Sequence, residues 1–207
     1  MPQNAPVLPP TPPFFGLALA AEAHWCMIDF ISDLHLQASQ TATFAAWQHY
    51  MAHTQADALF ILGDLFEVWV GDDILTATHG SDGVFARQCQ EVIRATTQRL
   101  PVFFMHGNRD FLLGDGFAKA CHLELLPDPT VLDFDAQRWL LSHGDALCLD
   151  DVDYQAFRQQ VRTKAWRAAF LAKPLSERQS VARGLREQSE SIKASGALYA
   201  DVDAAMS

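Results

Sequence analysis

Lysine and arginine are missing from the first 86 of the 207 residues, Arg87 being the earliest basic side chain. A secretory signal opens on positive charge, so this absence argues against one, although Pro6, Pro9, Pro10, Pro12 and Pro13 lead into a Leu-Ala stretch ending in Ala21-Glu22-Ala23, which superficially resembles a cleavage site. Residues 1–26 are therefore expected to be a disordered leader or a misassigned start, with Met27 opening the first strand. Long apolar runs are lacking too. The stretches Pro13–Ala21 and Leu59–Leu62 fall far short of the about 20 residues that span a bilayer. The four cysteines, Cys26, Cys89, Cys121 and Cys148, form no C-x-x-C pair, so neither a zinc knuckle nor a disulfide framework is indicated, and a reducing cytoplasm fits. No histidine follows His143.

What is present is unevenly charged. The net charge of −10 divides into 6 basic and 20 acidic residues over Met1–Asp153 and 9 basic against 3 acidic over Tyr154–Ser195. An acidic body collects metal cations, and a basic helical insert attracts phosphate or an anionic membrane surface; the plainer alternative is a solvated helix face. A nucleic-acid partner is not expected. At 49% hydrophobic residues the chain can bury a core of its own.

Short polar clusters stand at the ends of apolar runs: Asp33-Leu34-His35, Gly63-Asp64-Leu65-Phe66-Glu67, Gly107-Asn108-Arg109-Asp110 and Ser142-His143-Gly144-Asp145. Runs at Met27–Ile31, Asp57–Leu62 and Pro101–Met105 read as strands, with helices over Thr41–Thr54 (Phe44, Trp47, Tyr50 and Met51 on one side) and Val84–Leu100 (Val84, Phe85, Val92 and Ile93). Open α/β sheets place ligands at such strand ends. A hairpin is predicted over Val131–Ser142, and two helices over Tyr154–Ala172 and Leu175–Ser195, parted by Lys173-Pro174.

In-line attack on phosphorus needs hard oxygen and imidazole ligands holding two divalent ions about 3.5–4 Å apart, with a shared carboxylate. Asp64, costly to bury unpaired in its apolar run, is the expected bridge. Asp33 and His35 together suit one metal, though either alone would read as a turn or surface residue. Asn108 offers a neutral oxygen, Arg109 a fork for phosphate, and His143 a ligand for the second metal. As a bare turn, Gly107-Asn108-Arg109-Asp110 would not need its arginine. Glu67, Asp110 and Asp145 are expected to support the ligands, and His106 to belong to the scaffold.

These clusters, and the longer strings Ile61–Asp73, His106–Gly114 and His143–Asp151 followed by Tyr154-Gln155-Ala156-Phe157-Arg158, resemble the calcineurin-like metallophosphoesterases, and within them the UDP-2,3-diacylglucosamine pyrophosphatases of lipid A biosynthesis. The resemblance runs from about Met27 onward. It implies an α/β fold, a two-sheet sandwich flanked by helices with a helical cap insertion: a core over 27–152, a basic cap over 153–195 and a truncated return to the core over 196–207.

The implied reaction splits UDP-2,3-diacylglucosamine into UMP and 2,3-diacylglucosamine 1-phosphate with two Mn2+ ions, peripherally on the cytoplasmic face of the inner membrane. Asp33, His35 and Asp64 would hold one ion and Asp64, Asn108 and His143 the other, with Asp64, Asn108 and His143 as catalytic residues. Substrate contacts would be Asn108, Arg109, Asp151, Tyr154, Phe157, Arg186, Ser189 and Lys193, with Trp166, Phe170 and Leu171 interleaving an apolar wall with the cap's positive charge. Family members carry a later G-H-x-H segment and closing strands that this sequence does not contain, so the 207 residues by themselves are expected to hold metal weakly and turn over slowly. The alternatives are another calcineurin-like phosphodiesterase or phosphatase, or an inactive lipid-binding fragment.

Overall fold

The computed structural model describes residues 17–78 and 80–194, with 188–194 by backbone alone. Strands β1 (Leu17–Ala20), β2 (Ile28–Ile31), β3 (Ala58–Ile61), β4 (Val102–Met105), β5 (Glu124–Leu126), β6 (Thr130–Phe134) and β7 (Gln137–Leu141) form two sheets. One is wholly parallel in the order β2-β3-β4-β5; the other runs β1-β6-β7, with β6 and β7 an antiparallel hairpin. Helices α1 (Thr41–His53), α2 (Ser81–Thr97) and α3 (Asp115–Cys121) connect the parallel strands, followed beyond the hairpin by α4 (Val152–Val161), α5 (Lys164–Leu171) and α6 (Leu175–Ala194).

The period of two along β3 and β4 decides the layering. Leu59, Ile61, Val102 and Phe104 face a core shared with Trp47 and Met51 of α1 and Cys89 and Ile93 of α2. Their neighbours Ala58, Phe60, Phe103 and Met105 face a second core with Trp25, Leu132 and Leu141. A strand covered on both faces must be apolar at every position, which is why Ala58–Ile61 and Val102–Met105 read as unbroken runs. This is the two-sheet, helix-flanked arrangement expected from the sequence.

Three readings need correction. Residues 1–26 do not lie wholly outside the fold: Leu17–Ala20 pairs in parallel with Thr130–Asp133, the Ala21 N–H donates to the Asp133 carbonyl, and Trp25 is buried. The apolar aromatic contributes core area that the proline-rich run before it concealed. On α2 Phe85, Val92 and Ile93 pack on the core as expected, joined there by Ala86, Cys89 and Thr96, but Val84 is exposed. The stretch Tyr154–Ala172 is two helices, because the Thr163 hydroxyl accepts the Trp166 N–H and starts α5 afresh. The sequence reading also missed the short elements α3 and β5, and the placement of α3 depends on Asp72. Its carboxylate accepts the N–H groups of Gly114 and Phe117 at the start of α3 and the Trp69 indole N–H. The expected return to the core over 196–207 lies outside the described residues.

Candidate metal centre

Asp33, His35 and Asp64 follow the carboxyl ends of β2 and β3, and all three have left-handed backbones, with φ of 55°, 48° and 51°. Such conformations cost about 1–3 kcal/mol each and persist where surrounding bonds fix them. Here the two loops are laced together: the Asp33, His35 and Leu36 N–H groups donate to the carbonyls of Gly63, Asp64 and Leu65. A Cβ on Gly63 would lie 2.7 Å from His143 Nδ1, and one on Gly107 would lie 2.0 Å from Asp64 Oδ1. The two glycines let the loops after β3 and β4 touch.

Between those loops sits Asp110, fully buried, accepting from Gly107 N–H and Leu65 N–H at 2.9 Å each and, more weakly, from Phe66 N–H at 3.5 Å. Burial, aided by the neighbouring Asp64 charge, pushes its pKa up to about 7. Burial likewise raises the Asp64 carboxyl, against the pull of the Arg109 N–H and the imidazoles of His143 and His35, while Asp33 adds repulsion. Two carboxylates forced together invite a cation.

Asp33, Asp64 and His143 each present a ligand atom, and the three atoms lie within 4.8 Å of one another. His35 Nε2 stands 3.9 Å from Asp64 Oδ2, and His143 Nε2 stands 3.7 Å from Asp64 Oδ1 and 3.3 Å from Asn108 Oδ1. The tautomer of His143 tests the fit. Its Nδ1 lies 2.8 Å from the Leu62 carbonyl, which only accepts, so Nδ1 carries a proton and Nε2 is the ring atom left facing two further oxygen acceptors. Acceptors aimed at one another repel unless a cation lies among them, so these residues fit a metal. His106 is occupied elsewhere: its Nε2 meets the Leu113 carbonyl at 2.7 Å, and burial lowers its pKa.

The substrate residues expected from the sequence divide. Arg109 donates its backbone N–H to Asp64 Oδ1 at 2.8 Å and directs Nη1 to Glu67 at 3.6 Å; Arg186 of α6 reaches the same Glu67 oxygen at 3.3 Å. Asp151 caps α4 by accepting the Tyr154 N–H, and the Tyr154 hydroxyl donates to Asp145 Oδ2 at 2.7 Å, so both are engaged in holding the helix. Phe157 is partly exposed, whereas the side chains of Ser189 and Lys193 lie outside the described residues. Trp166 and Phe170 stack on each other and pack into the helix-side core, which corrects their reading as a lipid-facing wall.

Much of the insert's charge also points inward. Arg158 and Arg162 bind Asp145 at 2.8 and 3.2 Å, Arg162 also donates to the Gly107 carbonyl, and Arg178, 1% exposed, holds the Val70 carbonyl and Asp73. Burial would raise the Asp145 pKa, but hydrogen bonds from Arg158 and Tyr154 and the guanidinium charges of Arg162 and Arg158 outweigh it and hold the carboxyl below the usual range. Nothing in the spacing of Arg178 distinguishes it from its exposed neighbours on α6, and sequence reasoning passed over it.

Residues 27–186 match the family described as calcineurin-like phosphoesterase. The chain belongs to this family. Among curated relatives, a UDP-2,3-diacylglucosamine hydrolase of Aromatoleum aromaticum is 47% identical over 166 residues, 79% of this chain and 65% of the relative. Enzymes of the same name from Chromobacterium violaceum, 47% identical over 80% of this chain and 68% of theirs, and from Escherichia coli O7:K1, 43% over 82% and 69%, are similar. The chain thus spans about two thirds of the length of the relatives it matches. A solved protein of unknown function from Aquifex aeolicus aligns at 18% identity over 65% of this chain and 71% of its own, with a TM-score of 0.38, too partial a likeness to carry an argument. No helix among the described residues is long and apolar enough to cross a membrane.

Proposed function

We propose that this chain carries the site that hydrolyses the pyrophosphate bond of UDP-2,3-diacylglucosamine, giving UMP and 2,3-diacylglucosamine 1-phosphate. The observation that carries this reading is the arrival of Arg186, from the helical insert, beside Arg109 and His35 at Glu67, which joins an anion-binding pair to the candidate metal centre. Support also comes from the names of the relatives.

In this reading Asp33, His35 and Asp64 would hold one Mn2+ ion and Asp64, Asn108 and His143 the other. Divalent ions supply Lewis acidity toward phosphoryl oxygens and lower the pKa of water. The chain's own groups do the positioning. Asp64 is fixed by the Arg109 N–H, and His143 is held by the Leu62 carbonyl with Nε2 toward the reaction centre. Asn108 contributes a neutral oxygen, sparing the centre a further negative charge. Arg109, whose Nε is buried without a hydrogen-bond partner, and Arg186 offer planar donors to the pyrophosphate.

The acyl chains would lie along exposed apolar groups of the insert, with Phe157, Leu171, Val181 and Leu185 as candidates. Asp151, Tyr154, Ser189 and Lys193 stay in the proposal as outer contacts, Tyr154 acting through Asp145. These exposed apolar groups, with the exposed Lys164, Lys173 and Arg183, suit peripheral attachment to the cytoplasmic face of the inner membrane.

The test is release of UMP in the presence of Mn2+ from the diacylated nucleotide and from its deacylated counterpart. Turnover confined to the diacylated compound supports the reading. Equal rates on both, or on a simple aryl phosphodiester, would move the assignment to a general phosphodiesterase.

A further inference from the structure

Glu67 is not among the candidate ligands, yet three functional side chains meet on it. Its side chain is 11% exposed; one carboxylate oxygen, Oε1, lies 3.6 Å from Arg109 Nη1 and 3.3 Å from Arg186 Nε, and the other, Oε2, lies 3.5 Å from His35 Nδ1. Two buried polar atoms in this group, His35 Nδ1 and Arg109 Nε, make no hydrogen bond. The main chain of Glu67 is fixed independently of these partners: its N–H donates to the Leu36 carbonyl at 3.1 Å, just beyond the bridge between Leu36 and Phe66. Glu67 is thus anchored to the same paired loops that carry Asp33, His35 and Asp64.

We propose that Glu67 is a positioning residue that sets the ring of His35, with Nδ1–H toward its own Oε2 and Nε2 toward Asp64, and at the same time spaces Arg109 and Arg186 as a pair for a phosphate group. The inference rests on the metal-centre reading above. A histidine can present Nε2 as a ligand only when Nδ1 keeps the proton, and an acceptor beside Nδ1 secures that tautomer. The Asp64 carboxylate on the Nε2 side works the other way in the metal-free protein, favouring a proton on Nε2, so Glu67 must outcompete it. A single carboxylate oxygen between two guanidinium groups offsets their mutual repulsion and holds them side by side, so that both can serve one anion. Glu67 therefore links α6 to the metal ligands without touching a reacting atom.

The test reads the ring directly. Wild type and the Glu67→Ala and Glu67→Gln variants of the whole chain are labelled with 15N-histidine, and the His35 nitrogens, assigned with His35→Gln, are read without metal by long-range proton–nitrogen correlation. Wild type is expected as the Nδ1–H tautomer, Glu67→Gln to retain it through its amide oxygen, and Glu67→Ala to shift toward Nε2–H. Calorimetric titration of Mn2+ should show affinity weakened about 10–100-fold in Glu67→Ala, the range for losing a ligand-orienting partner, and by much less in Glu67→Gln. Should Glu67→Ala fail to fold, wild type and Glu67→Gln still decide the tautomer. Nε2–H in wild type, or a tautomer unchanged in a folded Glu67→Ala, overturns the proposal. Absence of UMP release with the expected tautomers would count against the substrate reading alone.

Discussion

Asp64 combines 2% exposure with a left-handed backbone and an N–H bond from Arg109, so its carboxylate is both oriented and starved of water. Asp64→Ala should abolish Mn2+ binding at both candidate positions while leaving the fold cooperative; calorimetry that still shows two sites would remove Asp64 as the bridge. Asp110 does different work a few ångströms away. It accepts N–H groups from both glycine-bearing loops, and an amide in its place would turn a donor toward at least one of them. Asp110→Asn is expected to cost roughly 1–3 kcal/mol, the penalty for a buried donor left unmade, as read by urea unfolding. Arg109→Ala, by contrast, should weaken binding of phosphate-bearing ligands with metal content intact, because its side chain supplies no ligand atom. Loss of metal in that variant would show that the guanidinium also holds the loop.

At the scale of elements, α4 is fastened to the core by Asp145, which accepts from Tyr154, Arg158 and Arg162. Its folded pKa lies below the unfolded value, so this contribution is fully present above about pH 3.8 and is lost as pH falls through the folded value. Hydrogen exchange should accordingly show α4 amides losing protection on acidification below that point. Asp145→Asn should loosen α4 already at neutral pH, at a cost of roughly 3 kcal/mol, the scale of breaking a buried charge pair. If the variant's α4 stays as protected as wild type, the fastening lies elsewhere. Helix α6 is attached separately, through buried Arg178 to Val70 and Asp73 and through Arg186 to Glu67.

Across the whole molecule, the parallel sheet is shared between two cores, and Trp25 closes the one between the sheets against Phe60 and Phe103, with ring centroids 6.4 and 5.9 Å away. Trp25→Ala should destabilise the protein by about 3–5 kcal/mol, as large-to-small changes at buried aromatics do, measured as a lowered urea midpoint. A change below about 1 kcal/mol would mean that β1 and the segment after it contribute little to the core. Either way, the loops that carry Asp33, Asp64 and Asn108 are held by the rows of β2, β3 and β4 rather than by the second sheet alone.

The order of strands and polar clusters was legible from the sequence because a parallel sheet buried on both faces demands continuous apolar runs, which stop where the polar turn residues begin. The candidate ligands were legible as types, and the fold brings the Asp33, Asp64 and His143 ligand atoms within 4.8 Å of one another. What sequence could not supply was who faces whom. Arg158, Arg162 and Arg178 look like one solvated basic face until the fold turns them onto Asp145, Asp73 and backbone carbonyls 13 to 108 residues away. Trp25 looked like part of a leader because its partners, Phe60 and Phe103, come from distant strands. Glu67 read as a supporting group, but its partners Arg109 and Arg186 were visible only once α6 brought Arg186 to it. These are long-range pairings between charges and rings, and only the packing of the layers decides them.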